Sequence, residues 1–522
     1  MSAVERQPTP ERTRATYTPT LEQARELARL NTLIPIYRTL PADLETPVTA
    51  YVKLTSEKTN TEWSPSFLLE SVEGGNLGRY SFLVTAPKWG IELPTEGGWV
   101  ERQPNGSKLH NPGEVVDPLI PIEERTRRQV ARVPGLPRFH GGFVGYIGFE
   151  TVRAFERKPT LQNPKPSTTG VPDAVLAQVD DLVAFDHVTK EMKVITHLAV
   201  EDPQHIDAAY GAAVERIETL VDKLRKAFDP KTLISGTVSP LQAEPTSNFE
   251  RTAYEKMVVE ALRKIIEGEV IQVVVSQRWE QKTSADPFKI YRARRRVDPS
   301  PFQFFFNYGE FQLIGASPEL LVKVENGKVT TWPLAGTRPR SPDATPEEDA
   351  AVAEELLNDP KERAEHLMLV DLGRNDIGRV AIPGTMKVDK FMEPEFYSNV
   401  IHLASRVEGS LRPGLTSFDA LRACFPAGTV SGAPKIRAIE LIYEFEPDRR
   451  GPYAGAIGFI SYSGGLEMAI TIRNGILKNR VFYNQAGGGI VSDSVPATEY
   501  EETRAKARGG FRAVKLAEEE EF

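Results

Sequence analysis

The chain predicts an α+β fold on three observations. Strand-like apolar segments follow one another in runs, helices interrupt those runs without strict βαβ alternation, and turn residues close neighbouring strands into hairpins. A helix is expected from about Thr20 to Leu30. Extended segments follow at 68–71 (LLES), 79–84 (RYSFLV) and 141–149 (GGFVGYIGF). In the last, glycines mark places where other groups come close. Residues 182–185 and 193–198 form a hairpin across DHVTKEM. Apolar residues from Ile206 to Leu224 recur at helical spacing and predict an amphipathic helix over 204–227.

Residues 229–248 are polar, aperiodic and punctuated by Pro and Gly, which marks them as a linker. The expected division is a disordered leader at 1–18, an N-terminal domain at 19–228 and a second domain at 249–522. Beyond the linker, Thr252 and Glu255 have the spacing of a capping box, and Gly268 ends the helix they open. VIQVVVS (270–276) reads as a buried strand with Gln272 in its middle, and 320–331 as a hairpin about Asn326-Gly327. Residues 459–483 read as a meander of three strands, with Asn474-Gly475 as a bulge or a further turn.

The balance of 64 basic and 72 acidic residues, with no basic block, gives no footprint for nucleic acid. No apolar run reaches membrane-spanning length, and the first residues lack an apolar signal core, so a cytoplasmic protein is expected. The single cysteine, Cys424, rules out an internal disulfide and a multi-thiolate metal site.

Chemistry collects in the second half. Gly487, Gly488 and Gly489 leave backbone N–H groups bare, as an anion cradle requires, and Glu499 and Glu502 follow three residues apart on a helix face. Glu362 and Glu365 repeat that spacing on a helix capped by Asp359 and Pro360. Two glutamate pairs without Cys or His suit Mg²⁺, which takes oxygen ligands. His402 alternates away from the Ile401/Leu403 face of a strand. Arg473 is placed with Ala469 and Thr471 on the small face of another strand. Gly428–Pro434 leads into a helix with Pro434 at its first position, without the Walker spacing.

PLAGTRPR (333–340), ERAEHLMLVDLGRND (362–376), IHLASRV (401–407), FPAGTVSGAPK (425–435), AITIRNG (469–475) and QAGGGIVSDS with EYEET (485–503) together resemble the chorismate-utilising enzymes. The resemblance is greatest to the large subunits of anthranilate synthases and spans roughly residues 20–515. It implies that family's fold, large antiparallel sheets flanked by helices, with an N-terminal regulatory portion. It implies Mg²⁺ held by Glu365 and Glu502 with Glu362 and Glu499 alongside. It also implies chorismate held by Gly336, Thr337, Tyr453, Arg473 and the Gly487–Gly489 amides, with Lys506 near. Glu362 is expected as the acid for the departing hydroxyl, and His402 with Thr429 as the acid/base of pyruvate elimination. Relatives that make aminodeoxychorismate carry Lys in place of Ala335, and those that use water carry Lys in place of Gln272. An ammonia-using, pyruvate-releasing enzyme is therefore favoured. No Gly-x-Cys-x-Gly is present, so glutamine use implies a separate glutamine amidotransferase subunit and a hetero-oligomer. Tryptophan is the expected inhibitor, at Ser71 and at Pro301, Phe302 and Gln303, where relatives usually read PSPYM. The rivals are an aminodeoxychorismate synthase and a non-catalytic phosphate- or nucleotide-binding protein.

Overall fold

A computed structural model describes residues 16–56, 63–71, 78–162, 165–228, 244–341, 343–397 and 400–519, with Thr337 by its backbone only. Most of the expected leader (1–15) and linker (229–243) lies outside these residues. Thr18 pairs with Tyr37, and Thr246–Ser247 pairs with the strand Gln272–Lys282.

Two antiparallel sheets of twelve strands each, among the described residues, make the frame. The first runs Leu33–Pro41, Glu191–Ala199, Leu182–Asp186, Tyr80–Thr85, Ser66–Glu70, Phe302–Asn307, Phe311–Ser317, Asn474–Lys478, Val481–Ile490, Gln272–Lys282 and Thr246–Ser247, with Gly432–Ala433 beside Gln272. The second runs Leu334–Pro339, Val400–Ser410, Lys328–Thr331, Leu320–Glu325, Leu466–Ile470, Ala456–Ser461, Gly142–Ile147, Ala174–Val179, Trp89–Leu93, Trp99–Gln103 and Gly106–His110, with Lys387–Phe396 on the far side of Val400–Ser410. Strands from both sides of residues 229–248 thus build both sheets.

Alternation explains the packing. Phe67, Phe82, Phe304 and Phe306 of the first sheet meet Val144, Tyr146, Ile457 and Phe459 of the second in an aromatic core between the sheets. Helices Pro47–Thr55, Ile206–Arg225, Pro287–Val297 and Pro496–Glu519 cover the first sheet's outer face, in a cluster holding Leu54, Ile217, Tyr291 and Val514. The helix Arg251–Ile266 ends as expected: Gly268 has φ +78°, and the N–H groups of Gly268 and Glu269 return to the Ile265 and Lys264 carbonyls, both at 3.0 Å. Its start differs. Glu250 is the N-cap without a side-chain bond, and Glu255 pairs with Arg251 at 2.8 Å, so Thr252 and Glu255 make no capping box. Glu255 is one turn from a cation already on the helix face, and the ion pair takes it.

The expected meander also differs. Residues 456–490 form four strands, of which Ala456–Ser461 and Leu466–Ile470 lie in the second sheet, and Asn474–Lys478 and Val481–Ile490 in the first. Asn474-Gly475 is neither bulge nor turn but the start of a strand paired with Phe311–Ser317.

Candidate active site

The chain crosses between the two sheets at two neighbouring places. Phe311–Ser317 passes through Pro318 and Glu319 to Leu320–Glu325, and Leu466–Ile470 passes through residues 471–473 to Asn474–Lys478. The crossings are bonded together. Ile470 N–H donates to the Glu319 carbonyl at 3.0 Å, Ala316 N–H to the Arg473 carbonyl at 3.3 Å, and the Ser317 hydroxyl to the Ile470 carbonyl at 2.6 Å. Arg473 therefore sits in a crossing, with φ +53°, not on the strand face that alternation suggests.

Glu319 carries no signal in the sequence. Its side chain is 6% exposed, and burial pushes its carboxyl up to about 8, against the lowering pull of Arg473. The Thr429 hydroxyl faces this carboxyl, although its buried Oγ1 has no hydrogen bond of ordinary geometry. Thr429 lies in the turn Gly428–Val430, after which Gly432–Ala433 pairs with Gln272 and Val273. Pro434 is the N-cap of helix Lys435–Phe445 rather than its first residue.

His402 lies opposite Thr337 on Val400–Ser410, and its Nδ1 is 2.9 Å from the Gly336 carbonyl. A carbonyl only accepts, so Nδ1 carries the proton and Nε2 keeps a lone pair. Burial lowers the imidazole pKa, so the ring is neutral at pH 7. Tyr397 packs edge-on against it at 5.6 Å. Gly336, φ +65°, backs onto Glu362: a Cβ there would stand 3.2 Å from Glu362 Oε2.

The helix Pro360–Gly378 starts as its sequence dictates. Asp359 accepts from the N–H groups of Lys361 and Glu362 at 2.9 and 3.2 Å, and Pro360 opens the first turn. The buried His366, 2.6 Å from Ser405 Oγ, fixes the helix against Val400–Ser410. This aims Glu362 and Glu365 inward. Burial raises the Glu365 pKa, and Glu362 and Glu502 raise it further. Glu499, on Pro496–Glu519, is raised by burial and by Glu502, and its Oε2 is buried without a partner. The four carboxylates are thus electrostatic neighbours. Two are held by protein cations, Glu362 by Arg338 at 3.0 Å and Glu502 by Lys506 at 2.5 Å. Among the described residues no three acids stand grouped tightly enough to enclose a metal ion. The donor set still fits a hard cation, since the raised carboxyls of Glu365 and Glu499 and the orphaned buried Glu499 oxygen are both relieved by positive charge.

Gly487, Gly488 and Gly489 pair with Ser276, Val275 and Val274. A Cβ on Gly488 would stand 3.1 Å from Glu499 Oε2, and one on Gly489 2.6 Å from Gln272 Nε2. A side chain at either position would therefore have to displace that group. Gln272, 2% exposed, lies 3.4 Å from Glu365 through Nε2, while its Oε1 is buried and unpaired. Lys506 donates to the Gly487 carbonyl at 3.1 Å. The Tyr453 hydroxyl lies against the Gly487 backbone, where a Cβ would stand 2.9 Å from it.

The residues expected for tryptophan also meet. Ser71 donates to the Pro301 carbonyl at 2.8 Å, beside a cavity of about 40 Å³ lined by Ser71, Glu70, Pro301, Phe302, Gln303 and Phe459 among others. Both amide atoms of Gln303 and Oε2 of Glu467, at its wall, are buried without partners.

This fold, with its glycine bed, arginine and glutamates, defines a chorismate binding enzyme, and the family model of that description matches residues 100–510. The chain is 44% identical to anthranilate synthase component 1 of Pseudomonas putida over 490 residues, 93% of this chain and 96% of that protein. It is 43% identical to the same component of Thermus thermophilus over 486 residues, 93% of this chain and 98% of that protein. The crystal structure of anthranilate synthase component I from Streptococcus pneumoniae superposes with a TM-score of 0.72 at 36% identity, covering 90% of this chain and 98% of that one. The chain belongs to the anthranilate synthase component 1 family. Menaquinone-specific isochorismate synthase of Escherichia coli, 18% identical with a TM-score of 0.66 over 95% of this chain and 98% of its own, shares the fold.

Proposed function

We propose that this chain is the chorismate-converting component of an anthranilate synthase, turning chorismate and ammonia into anthranilate, pyruvate and water. The observation that supports the reading is that Arg473, bonded into the crossing that carries the buried Glu319, acts electrostatically on both the Glu319 carboxyl and the His402 imidazole. Arg473 and Tyr453 bind one substrate carboxylate, and the Gly487–Gly489 amides with Lys506 receive the other. Gln272 offers its unpaired Oε1 to an N–H of ammonia and so aims the nitrogen lone pair at C2. Glu319, rather than the ion-paired Glu362, gives its proton to the C4 hydroxyl, which leaves as water while the C2–N bond forms and the ring double bonds shift. His402 Nε2 then takes the C2 proton, the C3–O bond breaks, and pyruvate departs as its enolate, which takes up a proton, as the ring becomes aromatic.

Glu365 and Glu502, with Glu362 and Glu499 alongside, would hold Mg²⁺. When bound, the ion would supply a counter-charge for a substrate carboxylate.

The same reading makes residues 19–228 the regulatory portion, with tryptophan as ligand between Ser71 and Gln303. The unpaired amide of Gln303 and oxygen of Glu467 support a polar ligand there. A benzene-sized cavity is roughly 150 Å³, so the present 40 Å³ must open to admit an indole. Glutamine use would need a separate amidotransferase subunit, in a cytoplasmic hetero-oligomer.

The test is anthranilate fluorescence from chorismate and Mg²⁺, with ammonium or with glutamine as nitrogen donor. The purified chain is expected to respond to ammonium and not to glutamine. Aminodeoxychorismate without pyruvate, or unchanged chorismate, would overturn the proposal.

A further inference from the structure

Beneath Tyr453 lies an ion pair that the chemistry above leaves unused. Arg450 and Glu446 are 2% and 4% exposed. Arg450 donates to both carboxylate oxygens of Glu446, at 2.9 Å through Nε and 2.6 Å through Nη2. Its Nη1 donates to the Val430 carbonyl and its Nη2 also to the Val274 carbonyl, each at 2.7 Å. The guanidinium carbon stands 4.6 Å from the Phe149 ring centre and 5.7 Å from that of Tyr453. Glu446 Oε1 accepts in addition from the N–H and hydroxyl of Ser276, at 2.8 and 2.9 Å.

Every one of these bonds ends beside the site. Val430 follows Thr429, Val274 lies opposite Gly489, and Ser276 lies opposite Gly487, the residue whose backbone lies against the Tyr453 hydroxyl. The turn carrying the arginine is itself fixed. Glu150 accepts from the N–H groups of Arg450 and Gly451 at 2.8 and 2.9 Å, and Arg449 grips Asp173 through two bonds of 3.0 Å. A buried ion pair is poor value as stability alone, because apolar residues of like volume fill such space without the desolvation penalty. A planar guanidinium can, however, bind a carboxylate, two carbonyls and an aromatic face in one fixed geometry.

We propose that Arg450, held by Glu446, is a positioning residue for Tyr453, keeping its hydroxyl against the Gly487 backbone and aimed, with Arg473, at the substrate carboxylate those two bind. This rests on the reading of Tyr453 as a chorismate contact. Lysine retains the charge but not the plane. Arg450→Lys is therefore expected to raise the KM and Kd for chorismate about tenfold while kcat falls less than about threefold. In a Tyr453→Phe background the same substitution should raise them less than twofold, because the group it acts through is gone.

The test measures chorismate KM and kcat by anthranilate fluorescence and Kd by calorimetry, in the full chain with Mg²⁺, for both single variants and the double variant. Unchanged KM and Kd in Arg450→Lys, or a full tenfold rise repeated without the Tyr453 hydroxyl, would overturn the proposal. If Arg450→Lys fails to fold, Glu446→Gln, which keeps the acceptor and drops the charge, replaces it with the same criteria at a rise of about threefold. A wild-type chain that binds chorismate without converting it would sink the activity proposed above and leave the Kd comparison to decide this one. A chain that does not bind chorismate would overturn both.

Discussion

Glu319 is a carboxylic acid kept protonated at neutral pH, and its consequence is a pH profile. Its pKa near 8 lies above the ordinary carboxylate value, so the acid form prevails below pH 8 and is lost above it. His402 is shifted the other way, so its basic form persists below the usual imidazole value of about 6.5. Plots of kcat/KM against pH are expected to be bell-shaped, with a basic limb near 8 and an acidic limb below 6.5. Glu319→Gln should lose about 10²–10⁴-fold in kcat and remove the basic limb. A variant with wild-type kcat would exclude this acid. Folding also responds: between the ordinary carboxylate value and pH 8 the folded state holds a proton that the unfolded chain has lost, so this group makes stability fall as pH rises through that window. Gly488→Ala places a methyl 3.1 Å from Glu499 Oε2 and should weaken Mg²⁺ about tenfold, in calorimetry as well as in the metal dependence of turnover. The glutamate pairs were legible in the sequence because helix spacing alone sets them on one face, and His402 because strand alternation turns it from the core. Glu319 was not. Its acidity comes from burial at a crossing between sheets, and nothing in the local run ASPEL records that.

Elements followed the sequence where the interaction that makes them is local. Asp359 and Pro360 start the helix bearing Glu362 and Glu365, and Asn326-Gly327 closes a hairpin with both residues at positive φ. Removing the cap by Asp359→Ala should cost about 1 kcal/mol, read from the denaturation midpoint, and should also loosen Arg338, which bonds Asp359 at 2.7 Å. An unchanged midpoint would show that tertiary packing alone holds the helix. The errors were equally physical. Thr252 and Glu255 have capping-box spacing, but the helix begins two residues earlier than that cap requires and Arg251 takes the glutamate. Residues 459–483 read as one meander because strand runs and turns do not say which sheet a strand joins. The choice is made by non-local partners, Leu320–Glu325 for one pair of strands and Phe311–Ser317 for the next.

For the whole molecule, the main point is that neither half of the chain owns a sheet. Phe302–Asn307 is bonded to Ser66–Glu70, and Ala456–Ser461 to Gly142–Ile147. Residues 249–522 expressed alone would expose both strand edges and half of the aromatic core, and are expected to be insoluble or to unfold without a cooperative transition. A soluble fragment with a sharp calorimetric transition would contradict this. Polarity and proline content suggested the division near 229–248, but hydrogen bonding across it is invisible in one dimension.

The cavity beside Ser71 and the crossings that carry Glu319 and Arg473 are both walled by the two sheets at once. If ligands occupy both places, the angle between those sheets is a coordinate they would share. Reciprocity then requires that whatever one occupant does to the affinity of the other is returned in equal measure.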